Sequence, residues 1–257
     1  MTTESGPIHM HVDRGVMVLA INRPQARNAL DVATAQALAA RIRDPGEGVR
    51  AIVITGTGSA FCSGGDLAYL RDVVKHGSLK ATDTIYDNFH ALIRTMLASK
   101  LPLVAAINGP ALGAGLDLAL ACDLRVGAAS ATLASSWIRL GLTTGMGGSW
   151  LLARAIGGTR AAEMLLLGES ISAERAEQIG LINRVAPDEG LMDAVLEMAR
   201  KLTGLSARGL WATRASLRRA LDSGLDSELQ LLGSVQGTLL ASEEFGQAVE
   251  NFLAPKR

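Results

Sequence analysis

Three runs, "GVMVLAI" at 15–21, "RAIVITG" at 50–56 and "LPLVAAI" at 101–107, are apolar without the alternation that a strand wetted on one face requires. A strand with no polar face must be covered on both sides. Runs of this kind belong to largely parallel sheets, whose crossover helices supply the cover. A shorter candidate strand lies at "DLRVGA", 123–128. Between the strands, "DVATAQALAARIR" (31–43) and "TIYDNFHALIRTMLA" (84–98) carry apolar residues at three-to-four spacing, as crossover helices do. The alternation predicts an α/β fold. After about residue 145 the strand signal disappears, and "GMGGSWLLARAIG", "TRAAEMLLLG", "SAERAEQIG" and "EGLMDAVLEMARKLTG" read as helices. Several end on a glycine suited to the left-handed position after the last turn. The composition then shifts toward Leu, Arg, Ser and Glu. This divides the chain into a core over 1–200 and a helical region over 201–257, whose apolar faces need another surface such as a second subunit.

With 257 residues, 48% of them hydrophobic, the chain can bury a large core. Twenty-five basic residues balance twenty-five acidic ones, so the positive field used to bind nucleic acid or anionic membranes is missing and a small-molecule partner is expected. The two cysteines, Cys62 and Cys122, have no metal or redox spacing, which fits a reducing compartment. The first residues lack a signal-peptide pattern, and no run of about 18 apolar residues suggests a membrane span. A cytoplasmic location is expected. His9 and His11 can share one strand face, but two histidines without a third ligand make a poor metal site, and no metal is expected.

Two glycine-rich segments follow strands: "TGTGSAFCSGGDL" (55–67) and "NGPALGAGLDL" (108–118). Neither contains the GK[ST] of a P-loop, and "GAGLDL" has Leu118 where a dinucleotide fingerprint has its third glycine. If a helix starts near Gly113, the N–H of Ala114 has no intrahelical acceptor and faces outward at the positive end of the helix, where an oxyanion can sit. Asp117, three residues on, shares that face. Such a carboxyl either serves chemistry beside the anion or offsets the helix dipole. Its position at a helix N-terminus predicts a depressed pKa.

"INRPQARNAL" (21–30), "AFCSGGDL" (60–67), "LPLVAAINGPALGAGLDLALACDLRV" (101–126), "IRLGLTTGMGGSWLLARAIG" (138–157), "ISAERAEQIGLINRVAP" (171–187) and "SEEFGQAVENFLAPKR" (242–257) together resemble, in order, the enoyl-CoA hydratase/isomerase (crotonase) family. The resemblance implies an α/β, crotonase-like spiral of ββα units with a C-terminal helical trimerisation region, assembled as a homotrimer or a dimer of trimers. It implies an acyl-CoA thioester as partner, with coenzyme A as part of the substrate and no prosthetic group. The thioester oxygen would be held in an oxyanion hole formed by the backbone N–H groups of Gly65 and Ala114. Arg27 would meet a phosphate of coenzyme A, while the backbone at Ala60, Phe61, Cys62 and Asp66 would border its adenine end. The "FLAPKR" end resembles a segment that closes over the coenzyme A site.

Against that family the chain departs at three places. Hydratases of the family use two glutamates; the first falls at Asp117, one methylene shorter, and the second at Trp137, which has no proton to exchange near neutral pH. The acid that some isomerases carry shortly afterwards falls at Gly145. Chlorobenzoyl-CoA dehalogenases of the family share a histidine and a tryptophan at the positions of His90 and Trp137, but their nucleophilic aspartate also falls at Gly145, so that activity is not expected. Ser135, Ser136, Thr143 and Thr144 fall near the expected cavity, where they either hold a polar acyl group or form surface loop. The leading expectation is an enoyl-CoA hydratase/isomerase with Asp117 as its one acid/base group. A fatty-acyl-CoA binding or sensing protein with little or no turnover is the alternative, and decarboxylation or thioester hydrolysis on the same scaffold is a third.

Overall fold

The computed structural model describes residues 6–75, 77, 79 and 82–254. The chain divides into two compact units, residues 1–202 and 203–257. In the first unit, β1 (Ile8–Asp13) and β2 (Val16–Ile21) form a hairpin across Arg14 and Gly15. Then β3 (Ala51–Gly56), β4 (Leu103–Ile107), β6 (Leu124–Ala128) and β9 (Arg184–Ala186) extend a six-stranded sheet in the order β1-β2-β3-β4-β6-β9. Every pairing beyond the hairpin is parallel. All residues of β3 and β4 are buried, as their unbroken apolar character requires.

Helix α1 (Val32–Arg43) starts where Asp31 accepts a hydrogen bond from the Thr34 N–H at 2.8 Å, and it buries Ala35, Leu38, Ala39 and Ile42 along one stripe. It packs against α3 (Asp87–Ala98), which follows a π-helical turn over Thr82–Tyr86. Between β3 and that turn lies the short α2 (Leu67–Val74). After β4 the chain makes the two-residue β5 (Ala111–Leu112) and then α4 (Ala114–Leu120), whose seven residues are all buried. β5 joins β7 (Thr132–Ala134) and β8 (Ile171–Ser172) in a second, three-stranded sheet.

One expectation for the later half needs correction. Strands do not end at residue 145: β8 and β9 lie beyond it, each only two or three residues long and held by partners earlier in the chain. The two helices expected over 145–168 are both present within α5 (Gly148–Leu167), separated at Gly157, where φ of 76° and ψ of 162° interrupt the helical turns. Gly168 then closes it in the left-handed conformation. The unit ends with α6 (Ala173–Gln178) and α7 (Leu191–Thr203), whose last residue falls in the next unit.

The second unit contains α8 (Ala207–Arg219), α9 (Leu225–Leu240) and α10 (Glu243–Leu253). A double hydrogen bond between Arg219 and Glu228, both contacts at 3.0 Å, ties α8 to α9. Leu217, Leu225, Leu229, Leu240 and Phe252 are exposed on these helices. The last three residues of "FLAPKR" lie outside the described residues. Among the described residues, no helix is long and apolar enough to cross a membrane, and no three His, Cys, Asp or Glu side chains group as a metal site would need.

Candidate active site

Two single-residue parallel bridges fix the glycine-rich segments: Leu30 pairs with Gly65 of the 55–67 segment, and Cys62 of that segment pairs with Ala111 of the 108–118 segment. In the first, the Leu30 N–H donates to the Gly64 carbonyl at 2.7 Å and the Asp66 N–H donates to the Leu30 carbonyl at 2.8 Å, so the N–H of Gly65 faces the other way. In the second, the Cys62 N–H donates to Pro110 and its carbonyl accepts from Leu112 at 3.0 Å. The approach is close enough that a Cβ on Gly115 would overlap the Cys62 carbonyl. Gly64, at φ of 113°, would place a Cβ 3.0 Å from the Leu112 oxygen and 3.8 Å from the Ala114 nitrogen.

Asn28 fixes this arrangement from behind. It is fully buried in the left-handed region at φ of 57°, its amide donates to the carbonyls of Thr57 and Ala60 at 2.8 and 2.7 Å, and its Oδ1 accepts from the Arg23 N–H. Asn28→Ala would remove the Thr57 carbonyl's partner, leave the Ala60 carbonyl with Asn108 alone, and keep the strained backbone. A loss of about 2–3 kcal/mol is expected in chemical denaturation.

The segments enclose a cavity of about 220 Å³ lined by Gly64, Gly65, Gly113, Ala114, Ser136, Trp137 and Arg139, among others. The N–H groups of Gly65 and Ala114 donate to no acceptor among the described residues. Unpaired backbone donors on one apolar-walled cavity form a place for negative charge on an oxygen.

Asp117 lies beneath this wall on α4, 1% exposed. The Trp137 indole N–H donates to its Oδ2 at 3.2 Å, while Oδ1 has no hydrogen-bond partner. The carboxylate rests against the Cα of Gly148, where any Cβ would overlap it. Burial pushes the Asp117 pKa up to about 7, although the Trp137 hydrogen bond and the Met146 backbone pull it back toward the acid range. The depressed value expected from a helix N-terminus is therefore overturned. A seven-residue helix supplies a weak dipole, and removing a carboxylate from water costs more than that dipole returns.

Trp137 has a second place in the site, since it also walls a larger cavity of about 440 Å³ lined by Ser135, Ile138, Leu142, Thr143, Thr144, Ser149, Leu165 and Leu166. Asp117 lines neither cavity. His90, on α3, bonds through Nε2 to the Gly145 carbonyl at 2.9 Å and stands 5.8 Å from the Tyr86 ring. Gly145 has no room for a side chain, because a Cβ would meet the Tyr86 ring at 2.5 Å. The loop 145–148 thus touches His90 at one end and Asp117 at the other.

The residues expected along coenzyme A lie outside the 220 Å³ cavity. Arg27 is exposed in the left-handed conformation at φ of 50°. Ala60, Phe61 and Cys62 are buried; the Ala60 carbonyl is taken by Asn28 and Asn108, and burial raises the Cys62 thiol to about 12. Asp66 caps α2 by accepting from the N–H groups of Ala68 and Tyr69, and its pairing with Arg23 at 2.8 Å holds its carboxyl below the usual carboxylate range. None of Arg27, Ala60, Phe61, Cys62 or Asp66 lines the 220 Å³ cavity, whereas Arg139, which the sequence did not single out, does. Asn28, Gly148 and Arg23 were also missed. The left-handed preference of asparagine and the "PQARN" turn were the available signal for the first.

The α/β core thus carries a glycine-lined cavity with two unpaired amides and, behind its Trp137 wall, a buried carboxyl. The enoyl-CoA hydratase/isomerase profile matches residues 11–256. The chain is 34% identical to 1,2-epoxyphenylacetyl-CoA isomerase of Escherichia coli over 96% of this chain and 95% of that one. It is 37% identical to the 2,3-dehydroadipyl-CoA hydratase of the same organism, over 89% of this chain and 88% of the other. An enoyl-CoA hydratase from Polaromonas superposes with a TM-score of 0.89 at 32% identity, covering 96% of this chain and 97% of that structure. The chain belongs to the enoyl-CoA hydratase/isomerase family.

Proposed function

We propose that this protein moves a double bond in an acyl-CoA thioester, with the N–H groups of Gly65 and Ala114 holding the thioester oxygen and Asp117 carrying the proton. The observation behind this reading is the pair of unpaired amides on one cavity with a single buried carboxyl bonded to its Trp137 wall. In a 3-enoyl thioester, the carboxylate takes a proton from C2, and the electron pair moves onto the thioester oxygen as a dienolate. The same carboxyl then returns the proton at C4, which leaves a 2-enoyl thioester without a water molecule taking part. Water addition fits less well, because Trp137 has no carboxyl with which to orient it. A pKa of about 7 suits a group that must both take and give a proton near neutrality.

The exposed leucines of 203–257 suit association into a homotrimer or a dimer of trimers, and a cytoplasmic location agrees with the burial of Cys62 and Cys122. Arg27 and Arg139 are the cations best suited to meet the phosphates of coenzyme A.

Incubation with 2-enoyl- and 3-enoyl-CoA esters, followed by product mass and ultraviolet absorbance, tests the proposal. Isomerisation without a gain of water supports it. One observation favours a second reading as an acyl-CoA binding protein: Asp117 is closed off from both cavities. Tight acyl-CoA binding with no conversion above background would decide for that alternative.

Trp137→Phe separates the indole hydrogen bond from the ring. Losing the donor to Oδ2 removes a force that favours the charged carboxyl, so the acid limb of the rate profile should move toward higher pH by about one unit. A limb that stays in place would show that the bond has no hold on the reacting group.

A further inference from the structure

The 440 Å³ cavity beyond Trp137 contains a polar group that its own fold does not satisfy. Ser135 stands at the N-cap of the 3-10 turn Ser136–Leu140, where a serine hydroxyl ordinarily accepts from the turn's own N–H groups. Here it makes no capping bond. The residue is 1% exposed, and its Oγ has no hydrogen-bond partner. A hydroxyl removed from water and left unpaired is disfavoured, and a native chain generally supplies it with a partner. Two other hydroxyls on this cavity are already engaged: Thr144 Oγ1 accepts from the Ser149 N–H at 3.1 Å and lies 3.2 Å from the Ser149 hydroxyl. Thr143 adds a further hydroxyl to the lining, and the remaining walls are Trp137, Ile138, Gly141, Leu142, Leu165 and Leu166, with no charged side chain among the lining residues.

We propose that this cavity receives the acyl portion of the substrate and that Ser135 selects acyl groups bearing a neutral oxygen, as a hydroxyl or a ketone, over plain hydrocarbon chains. The proposal rests on the acyl-CoA reading above. Trp137 lines both cavities; in the proposed pose the thioester oxygen meets Gly65 and Ala114 and the chain passes the indole toward Ser135. An apolar cavity of about 150 Å³ holds benzene, so the space admits an acyl group of ring size or larger. A terminal carboxylate is a poor occupant, since no cation lines the cavity to offset its desolvation.

The test uses the full-length protein and saturated acyl-CoA esters, which bind without turning over. One series is unsubstituted, one carries a hydroxyl or keto group at successive carbons from C4 outward, and one ends in a carboxylate. Calorimetry is expected to show at least one hydroxy- or oxoacyl-CoA bound about tenfold more tightly than the plain chain of equal length, with the carboxylates weakest. Ser135→Ala should lose that preference: the oxygenated ester weakens about tenfold, and the plain chain binds more tightly once the unpaired hydroxyl is gone. Ser135→Cys, which keeps the size but donates poorly, should behave like the alanine variant. Both variants are expected to fold, since the hydroxyl they remove makes no bond. Equal or tighter binding of the plain chain by the unmodified protein, or a preference that survives Ser135→Ala, overturns the proposal and leaves the acyl-CoA reading intact. If no ester of any series binds, both fall.

Discussion

Asp117→Asn is expected to lower turnover by about 10³-fold or more while acyl-CoA binding persists, because the variant keeps the amide-lined cavity and loses the carboxyl that the proposed reaction uses to carry the proton. In the unmodified protein the rate should rise with pH through about 7 and level off above it, as the carboxyl must be charged to take the first proton. The same substitution should alter stability in a pH-dependent way. The folded value of about 7 lies above the ordinary 3.8, so between these pH values the native state holds a proton that the unfolded chain has released. This group's contribution to stability is therefore fully present below about pH 4, falls as the pH rises toward 7, and stays low beyond. A carboxamide at this position never ionises, so it escapes that loss. The variant's melting temperature relative to the unmodified protein should then be higher at pH 8 than at pH 4. A difference that does not change with pH would mean that the carboxyl is not buried in solution as it is in the structure, and the proton-shuttle assignment would lose its basis.

Gly115→Ala is expected to cost about 3 kcal/mol or more and to abolish acyl-CoA binding together with stability. The added methyl would land on the Cys62 carbonyl, which is main chain and already bonded to the Leu112 N–H, so no rotamer change relieves the overlap. The relief available is to part residues 62–65 from 111–115, and that also parts the two amides. Gly233→Ala in α9 provides the contrast. Nothing lies within 4 Å of its Cβ position, and replacing a helical glycine there should be neutral or stabilise by up to about 1 kcal/mol. Denaturation of both variants, with binding of a saturated acyl-CoA, checks the pair. A Gly115→Ala protein with both measurements unchanged would contradict the close packing on which the site depends.

The sheet was legible because burial on both faces leaves a mark in composition. β2, β3, β4 and β6 each fall within a stretch rich in apolar, β-branched residues, and α1 has both a capping aspartate and a three-to-four stripe. β5, β7, β8 and β9 have no such mark, since two or three residues make no period and these strands exist only through distant partners. The unpaired amides were legible at Ala114 from its place at the start of a helix, and at Gly65 only through resemblance to a family. The acidity of Asp117 was misjudged for a definite reason. The helix start is local and visible, but the burial that outweighs it comes from Trp137, twenty residues on, and from Gly148, whose lack of a side chain shows its purpose only when the carboxylate is seen against it. Ser135 was noticed near the cavity, yet its missing capping bond is a matter of orientation that no sequence pattern records.

The short stretch 145–148, which leads into α5, touches both His90 and Asp117. At one end its carbonyl is pinned to His90, and at the other its bare Cα limits where the Asp117 carboxylate can rest. A shift of the helix bearing His90 is therefore expected to move the place where the Asp117 carboxylate rests, through four residues of main chain. Selection or design could use that helix to retune proton affinity while every residue lining the chamber stays as it is.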